Sequence, residues 1–157
     1  MIKKIILFLI PIATLAGCLK TENTPNCSDV TTAATTSEIA SLQAYIDTNH
    51  IVATKDARGF FYHLDSVTTG AKPTICNSVN VAYKGYLLDG TIFDQSIGAV
   101  FNLSDLIVGW QEAIPLISVG GSMTLYLPPS LAYGSKAVGS IPANSYMKFV
   151  IRLVAVN

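Results

Sequence analysis

The sequence predicts an α+β fold, an antiparallel sheet of four to five strands whose single covered face wraps one short helix, with a further helix ahead of it as a brace. Three observations carry that prediction. Val79, Val81 and Tyr83 alternate with polar or small residues and run toward an Asp-Gly pair, Asp89-Gly90, the mark of a half-buried strand entering a hairpin. Two later stretches, 122–127 and 147–153, also place their large apolar side chains at every second position. Between these groups lies one short helical stretch, limited by Pro115.

Composition sets the outer limits. A chain of 157 residues, 50% of them apolar, buries one core and hardly two. Only 13% of residues are charged, low for a globular domain, and part of the apolar excess lies at the extreme N-terminus. Ten basic residues balance ten acidic ones; without residues 1–17, which hold Lys3 and Lys4, the count is eight against ten. No basic run and no acidic tail is present, so nucleic acid is excluded as a partner.

The N-terminus reads as an address. Lys3 and Lys4 precede an apolar run, residues 5–15, too short to span a bilayer, and small residues then lead to Cys18. This is the layout of a secretory signal peptide. Leu15-Ala16-Gly17-Cys18 resembles the lipobox of bacterial lipoproteins, in which cleavage precedes the cysteine and the cysteine is acylated. The resemblance implies a lipid on Cys18 and membrane anchoring through it. Leu19 is not the Asp that retains such proteins in the inner membrane, which favours the outer one. The remaining cysteines, Cys27 and Cys76, pair in an oxidising compartment or stay as buried thiols. Two thiols and two histidines (His50 and His63) at no ligand spacing predict no metal site.

Residues 19–36 are rich in Thr, Asn and Ser and read as a flexible tether, spanning roughly 20–25 Å as a coil. Thr35 and Glu38 then stand at capping-box spacing. Ile39, Leu42 and Ile46 share one helical face, with Tyr45 beside it, until Asn49 and His50. Residues 60–67 read as a strand, ended by Gly70 and Pro73, in which His63 is a solvent-facing or satisfied strand histidine rather than a catalyst. After the 79–84 strand and the Asp89-Gly90 turn, 91–94 returns. The short helix is placed at 111–117, just after Trp110, the single tryptophan. Gly120-Gly121 turns the chain into 122–127, which Pro128 and Pro129 stop. The loop 132–144 leads to the last strand, with Met147, Phe149, Ile151 and Leu153 on one face and Lys148 and Arg152 on the other.

No nucleophile–base pair, phosphate loop or paired acidic motif is present. An aromatic set stands out instead: Tyr83, Phe93, Trp110, Tyr133 and Phe149. Their positions alone read as core. Their order and context say more. Val81-Ala82-Tyr83-Lys84-Gly85, Asp89-Gly90, Phe93-Asp94, Leu106-Ile107-Val108-Gly109-Trp110, Leu131-Ala132-Tyr133-Gly134, Ile141-Pro142 and Phe149 together resemble the FKBP-type peptidyl-prolyl isomerases over residues 60–157.

That resemblance implies a strongly twisted sheet and a domain plan. Residues 1–17 form the signal peptide, 18–36 the lipidated cysteine and tether, 37–58 the helix and its connection, and 59–157 the isomerase domain. It also implies roles. Trp110 floors the proline site, and Tyr83, Phe93, Leu106, Ile107 and Phe149 wall it. The Ile107 N–H and the Tyr133 hydroxyl donate to substrate carbonyls, Asp94 edges the pocket beside Tyr83, and Ile141 belongs to an overhanging loop. Catalytic work falls to Tyr83, Phe93, Asp94, Trp110, Tyr133 and Phe149; Leu106, Ile107 and Ile141 bind substrate. Two departures stand out: Ala99 replaces a further pocket aromatic, and the 135–140 loop is one residue shorter and lacks a histidine.

The implied partners are proline-containing unfolded chains or peptides, macrolide inhibitors, and the membrane through the anchor, with the protein itself a monomer. No cofactor is implied. The alternative is an anchored chaperone or binding module with the same pocket and little turnover. Rotation about an X-Pro bond breaks no covalent bond, so neither nucleophile nor metal is required. The twisted amide has lost its resonance, and an apolar pocket favours it over the planar ground state.

Overall fold

The computed structural model describes residues 27–28 and 30–157. The signal peptide, lipobox and Cys18 lie outside the described residues. Helix α1 spans Thr36–Thr48 and opens on the capping box, with the Thr35 hydroxyl accepting from the Glu38 N–H and the Glu38 carboxylate accepting in return from the Thr35 N–H at 3.0 Å. It ends at Asn49, whose side-chain amide donates to the Tyr45 carbonyl. His50, at φ 53°, turns the chain away.

Six strands follow: β1 (Thr54–Lys55), β2 (Phe61–Ser66), β3 (Ser78–Leu87), β4 (Ile92–Asn102), β5 (Ser122–Leu127) and β6 (Met147–Val156). They form one antiparallel sheet in the order β1-β2-β5-β6-β3-β4. The two-residue β1 is too short to show any period, which is why the sequence points to no more than five strands. At the β3–β4 turn, Gly90 takes φ 93° and its N–H reaches the Leu87 carbonyl, a conformation that disfavours any side chain. β4 is much longer than the expected 91–94 return. Irregular register opposite Val81–Tyr83 and Gly85–Tyr86 breaks its alternation, and as an edge strand it needs no continuous apolar face.

The short helix also differs from expectation. α2 spans Val108–Ala113 and tightens into a 3₁₀ turn at Ile114–Leu116, so Trp110 lies inside it. Its N-cap, Ile107, offers no side-chain acceptor, and the start therefore leaves no capping signal in the sequence. One face of the sheet closes over α2 with Val79, Val81, Met123, Leu125, Ile151 and Leu153, all 0% exposed. The opposite face is not bare, against the expectation of a single covered face. There α1 packs Leu42 and Ile46 on Phe61 and Tyr126, covering the β2–β5 end.

Cys27 and Cys76 form a disulfide with a Cα–Cα separation of 5.2 Å, and the Ala34 N–H donates to the Arg58 carbonyl at 2.8 Å. The last part of the anticipated tether is thereby fastened to the domain, so free-coil dimensions do not apply from Cys27 onward. Nearby, Arg58 pairs with Asp56 at 2.8 Å and with the buried Glu112.

Candidate active site

Strand β3, both ends of β4, the N-terminus of α2, the turn before Tyr133 and strand β6 converge on a cavity of about 270 Å³. It is lined by Tyr83, Asp94, Phe101, Asp105, Leu106, Ile107, Trp110, Tyr133 and Phe149. Trp110, 4% exposed, forms its base. Its indole meets the Tyr83 ring edge-on at 5.1 Å between centroids and the Phe149 ring at 5.2 Å, the geometry aromatic quadrupoles prefer. Phe101 closes the cluster at 6.4 Å from Trp110 and 6.3 Å from Tyr83.

Polar groups stand at one edge. The Tyr83 hydroxyl donates to Asp94 Oδ2 at 2.6 Å, and Asp94 Oδ1 accepts from the Gln95 N–H at 2.8 Å. Burial, then the hydrogen bond to Asp94 and its charge, push the Tyr83 phenol well above its ordinary value. Burial and then the Asp94 charge raise Tyr133 as well. Both phenols therefore stay protonated and remain donors near neutral pH. Asp105 accepts from the Asn102 side-chain amide at 3.0 Å.

Local structure holds these groups in place. Ile107 is the N-cap of α2, where the first amides lack intrahelical acceptors, and its carbonyl receives the Trp110 and Gln111 N–H groups. The Gln111 side chain folds back onto the carbonyls of Leu106 and Ser104 at 2.6 and 3.1 Å, clamping the turn that presents Leu106 and Ile107. Tyr133 follows a 3₁₀ turn at Pro129–Leu131, closed where Ala132 and Gly134 both donate to the Pro129 carbonyl.

Of the residues anticipated for the site, Tyr83, Asp94, Leu106, Ile107, Trp110, Tyr133 and Phe149 line this one cavity. Phe93 and Ile141 are placed otherwise. Phe93 stands behind the wall, edge-on to Phe149 at 5.6 Å. Gly85 makes room for it, since a Cβ there would lie 2.6 Å from the Phe93 ring. Ile141, 7% exposed, is packed into the main core beneath the loop that Val138 and Ile141 close with paired hydrogen bonds. Phe101 and Asp105 were not anticipated. Phe101 lies two positions beyond Ala99 on β4, hence on the same face, and supplies an aromatic wall close to where Ala99 leaves none. Its place in a Phe-Asn-Leu run gave no signal apart from the aromatic ring itself.

Fold and cavity together define a class: an aromatic-walled binding site, with few polar groups, built on a sheet that wraps one helix. Comparison with known proteins narrows it. Residues 70–154 match the family model described as FKBP-type peptidyl-prolyl cis-trans isomerase, and the chain belongs to that family. It is 42% identical over 102 residues to the FKBP-type peptidyl-prolyl cis-trans isomerase FkpA of Aeromonas hydrophila, covering 62% of this chain and 38% of that one. It is 39% identical over 103 residues to the outer membrane protein MIP of Legionella longbeachae, covering 62% and 44% respectively. The crystal structure of a peptidyl-prolyl cis-trans isomerase from Pseudomonas syringae superposes with a TM-score of 0.69 at 30% identity, covering 82% of this chain and 99% of the other. The matched region is less than half the length of these two curated relatives.

Proposed function

We propose that the protein is a peptidyl-prolyl cis–trans isomerase that speeds rotation of X-Pro bonds in exported proteins. The observation that carries this reading is the cavity floored by Trp110, apolar on most sides and edged by the Tyr83–Asp94 pair. The proline ring sits on the indole between Tyr83, Phe101 and Phe149. The Ile107 N–H and the Tyr133 hydroxyl donate to carbonyls flanking the ring and hold the peptide while its bond turns. An uncatalysed X-Pro bond takes tens to hundreds of seconds. A ~10⁵-fold acceleration needs about 7 kcal/mol of preferential stabilisation of the twisted amide. A water-poor aromatic pocket favours the less polar twisted form, and its walls fit that form better than the planar one. Asp94 orients Tyr83 and polarises the pocket edge; it need not transfer a proton.

The protein acts as a monomer made of a signal peptide at 1–17, a lipid-bearing Cys18 with a tether, a bracing helix and an isomerase domain from residue 59. The Leu15-Ala16-Gly17-Cys18 motif supports anchoring, and the kinship with an outer membrane protein supports that membrane over the inner one. A protease-coupled proline-peptide assay on the mature protein, with and without a macrolide inhibitor of the family, tests the activity. Catalysis that the macrolide suppresses is the expected result. A rate equal to the uncatalysed one sinks the reading.

A further inference from the structure

The sheet face opposite the active site is uncovered over β6, β3 and β4. No basic run exists in the sequence, but strand register builds a basic surface there. Lys84 pairs with Val150, Tyr86 with Lys148, and Ala82 with Arg152, which sets all three cations on that face. Ile97, at the β4 bulge, is 99% exposed, and Ile92, Val100, Val150 and Val154 are each at least 39% exposed. Ala82, Lys84, Ile97, Val150 and Arg152 line one shallow hollow. Lys148 lies over the Tyr86 ring at 4.4 Å. Among the described residues none of these three cations has a carboxylate partner; the ion pairs are those of Arg58 with Asp56 and Glu112. Asp65, which reaches the same face from β2, accepts from the Thr124 hydroxyl. A cationic surface studded with exposed aliphatics, on a mature chain of net negative charge, complements an anionic and partly apolar partner.

Chain length identifies that partner. With Cys27 bonded to Cys76, only eight residues separate the fastened point from Cys18, nine Cα–Cα steps or at most about 30 Å of extended chain. We infer that the β6–β3–β4 face docks on the anionic phospholipid surface to which Cys18 is anchored, turning the Trp110 cavity away from the bilayer. This rests on the lipid-anchor reading above. Tyr83, Val81 and Phe149 lie on the opposite side of the same strands, so docking leaves the cavity open to clients. Three cations at the surface favour an anionic over a neutral bilayer on the order of a hundredfold.

The test uses the mature acylated protein in vesicles of phosphatidylcholine with or without phosphatidylglycerol. A fluorophore is carried on Ile97→Cys or, for comparison, on Lys136→Cys in the loop after Tyr133, and is quenched by headgroup-spin-labelled lipid. Severalfold stronger quenching at position 97 is expected in anionic vesicles. It should fall to the position-136 level in neutral vesicles and in the Lys84→Gln/Lys148→Gln/Arg152→Gln variant, whose turnover of a short peptide is unchanged. Equal quenching of the two labels on acylated, vesicle-bound protein overturns the inference, as does self-association through this face in place of lipid quenching. A mature protein whose mass shows no acyl group overturns the anchor itself, and the two failures are thus told apart.

Discussion

Glu38, on a helix that precedes the residues matched to the family, accepts two hydrogen bonds from Ser130, 92 positions away: the N–H at 2.9 Å and the hydroxyl at 2.8 Å. The same carboxylate closes the capping box of α1, so one side chain starts the helix and pins the turn leading to Tyr133. Glu38→Ala keeps the Thr35 cap but removes the carboxylate half of the capping box, at about 1 kcal/mol for the lost hydrogen bond, and is expected to loosen the Tyr133 turn. Urea denaturation reads the first effect, and a raised KM for a proline peptide reads the second. Burial raises the Glu38 carboxyl, but bonds from Thr35 and Ser130 outweigh it and hold it below its ordinary 4.5. A depressed carboxylate stabilises above its unfolded value, so this contribution should fade as pH falls below about 4.5 in the native protein and be absent from the alanine variant.

The Tyr83–Asp94 bond is a second point of leverage. Tyr83→Phe keeps the ring against Trp110 and removes only the donor. Its kcat/KM should fall about two- to tenfold, the worth of one hydrogen bond, with stability changed by less than about 1 kcal/mol. Asp94→Asn should behave similarly, and the double variant should lose little more than either single one, since both act through one contact. Strictly additive losses in the isomerase assay would show that the two side chains work separately.

The same burial makes a prediction for alkaline pH. Tyr83 and Tyr133 both hold their protons above the ordinary 10.0, through burial and then through Asp94. The fold binds these protons more tightly than the unfolded chain does. That stabilisation is complete below pH 10 and is lost as pH climbs through the folded values. Activity should therefore stay flat from about pH 6 to 9.5, and ultraviolet difference absorbance should show Tyr83 and Tyr133 ionising late, together with Tyr126, which burial also raises. A tyrosine-dependent fall in activity below pH 9 would contradict the cavity's protonation state.

Periodicity made much of this architecture readable. Met123, Leu125 and Leu127, like Met147, Phe149, Ile151 and Leu153, show where β5 and β6 bury a face, and Asp89-Gly90 places their neighbours' hairpin. The capping box locates the start of α1 to within one residue, Thr36 where the helix was expected from 37. The middle of β4 was hidden because an exposed, bulged edge strand has no face to advertise, and the start of α2 because Ile107 caps with backbone alone. Most of the cavity was legible through motif order, while local pattern could not reveal that Phe93 stands behind Phe149 or that Ile141 packs into the core. Nor could it show the Glu38–Ser130 contact or the basic face, which exist only once distant segments meet.

The Cys27–Cys76 bridge closes a span of 49 positions. Restricting a loop of that length in the unfolded chain is worth at most about 4 kcal/mol. At the far end of the segment it fastens, Ala34 packs against the core and donates to the Arg58 carbonyl. Cys27→Ser/Cys76→Ser should lower stability by about 1–4 kcal/mol and expose residues 30–34 to proteolysis. Neither cysteine lines the cavity, so turnover of a short peptide should not change. An unchanged urea midpoint, with the segment still protected, would mean that packing rather than the bridge holds it. A matching loss of peptide turnover would mean instead that the bridge reaches the active site, through the Ile75 side that faces Gln111 and Glu112 on α2.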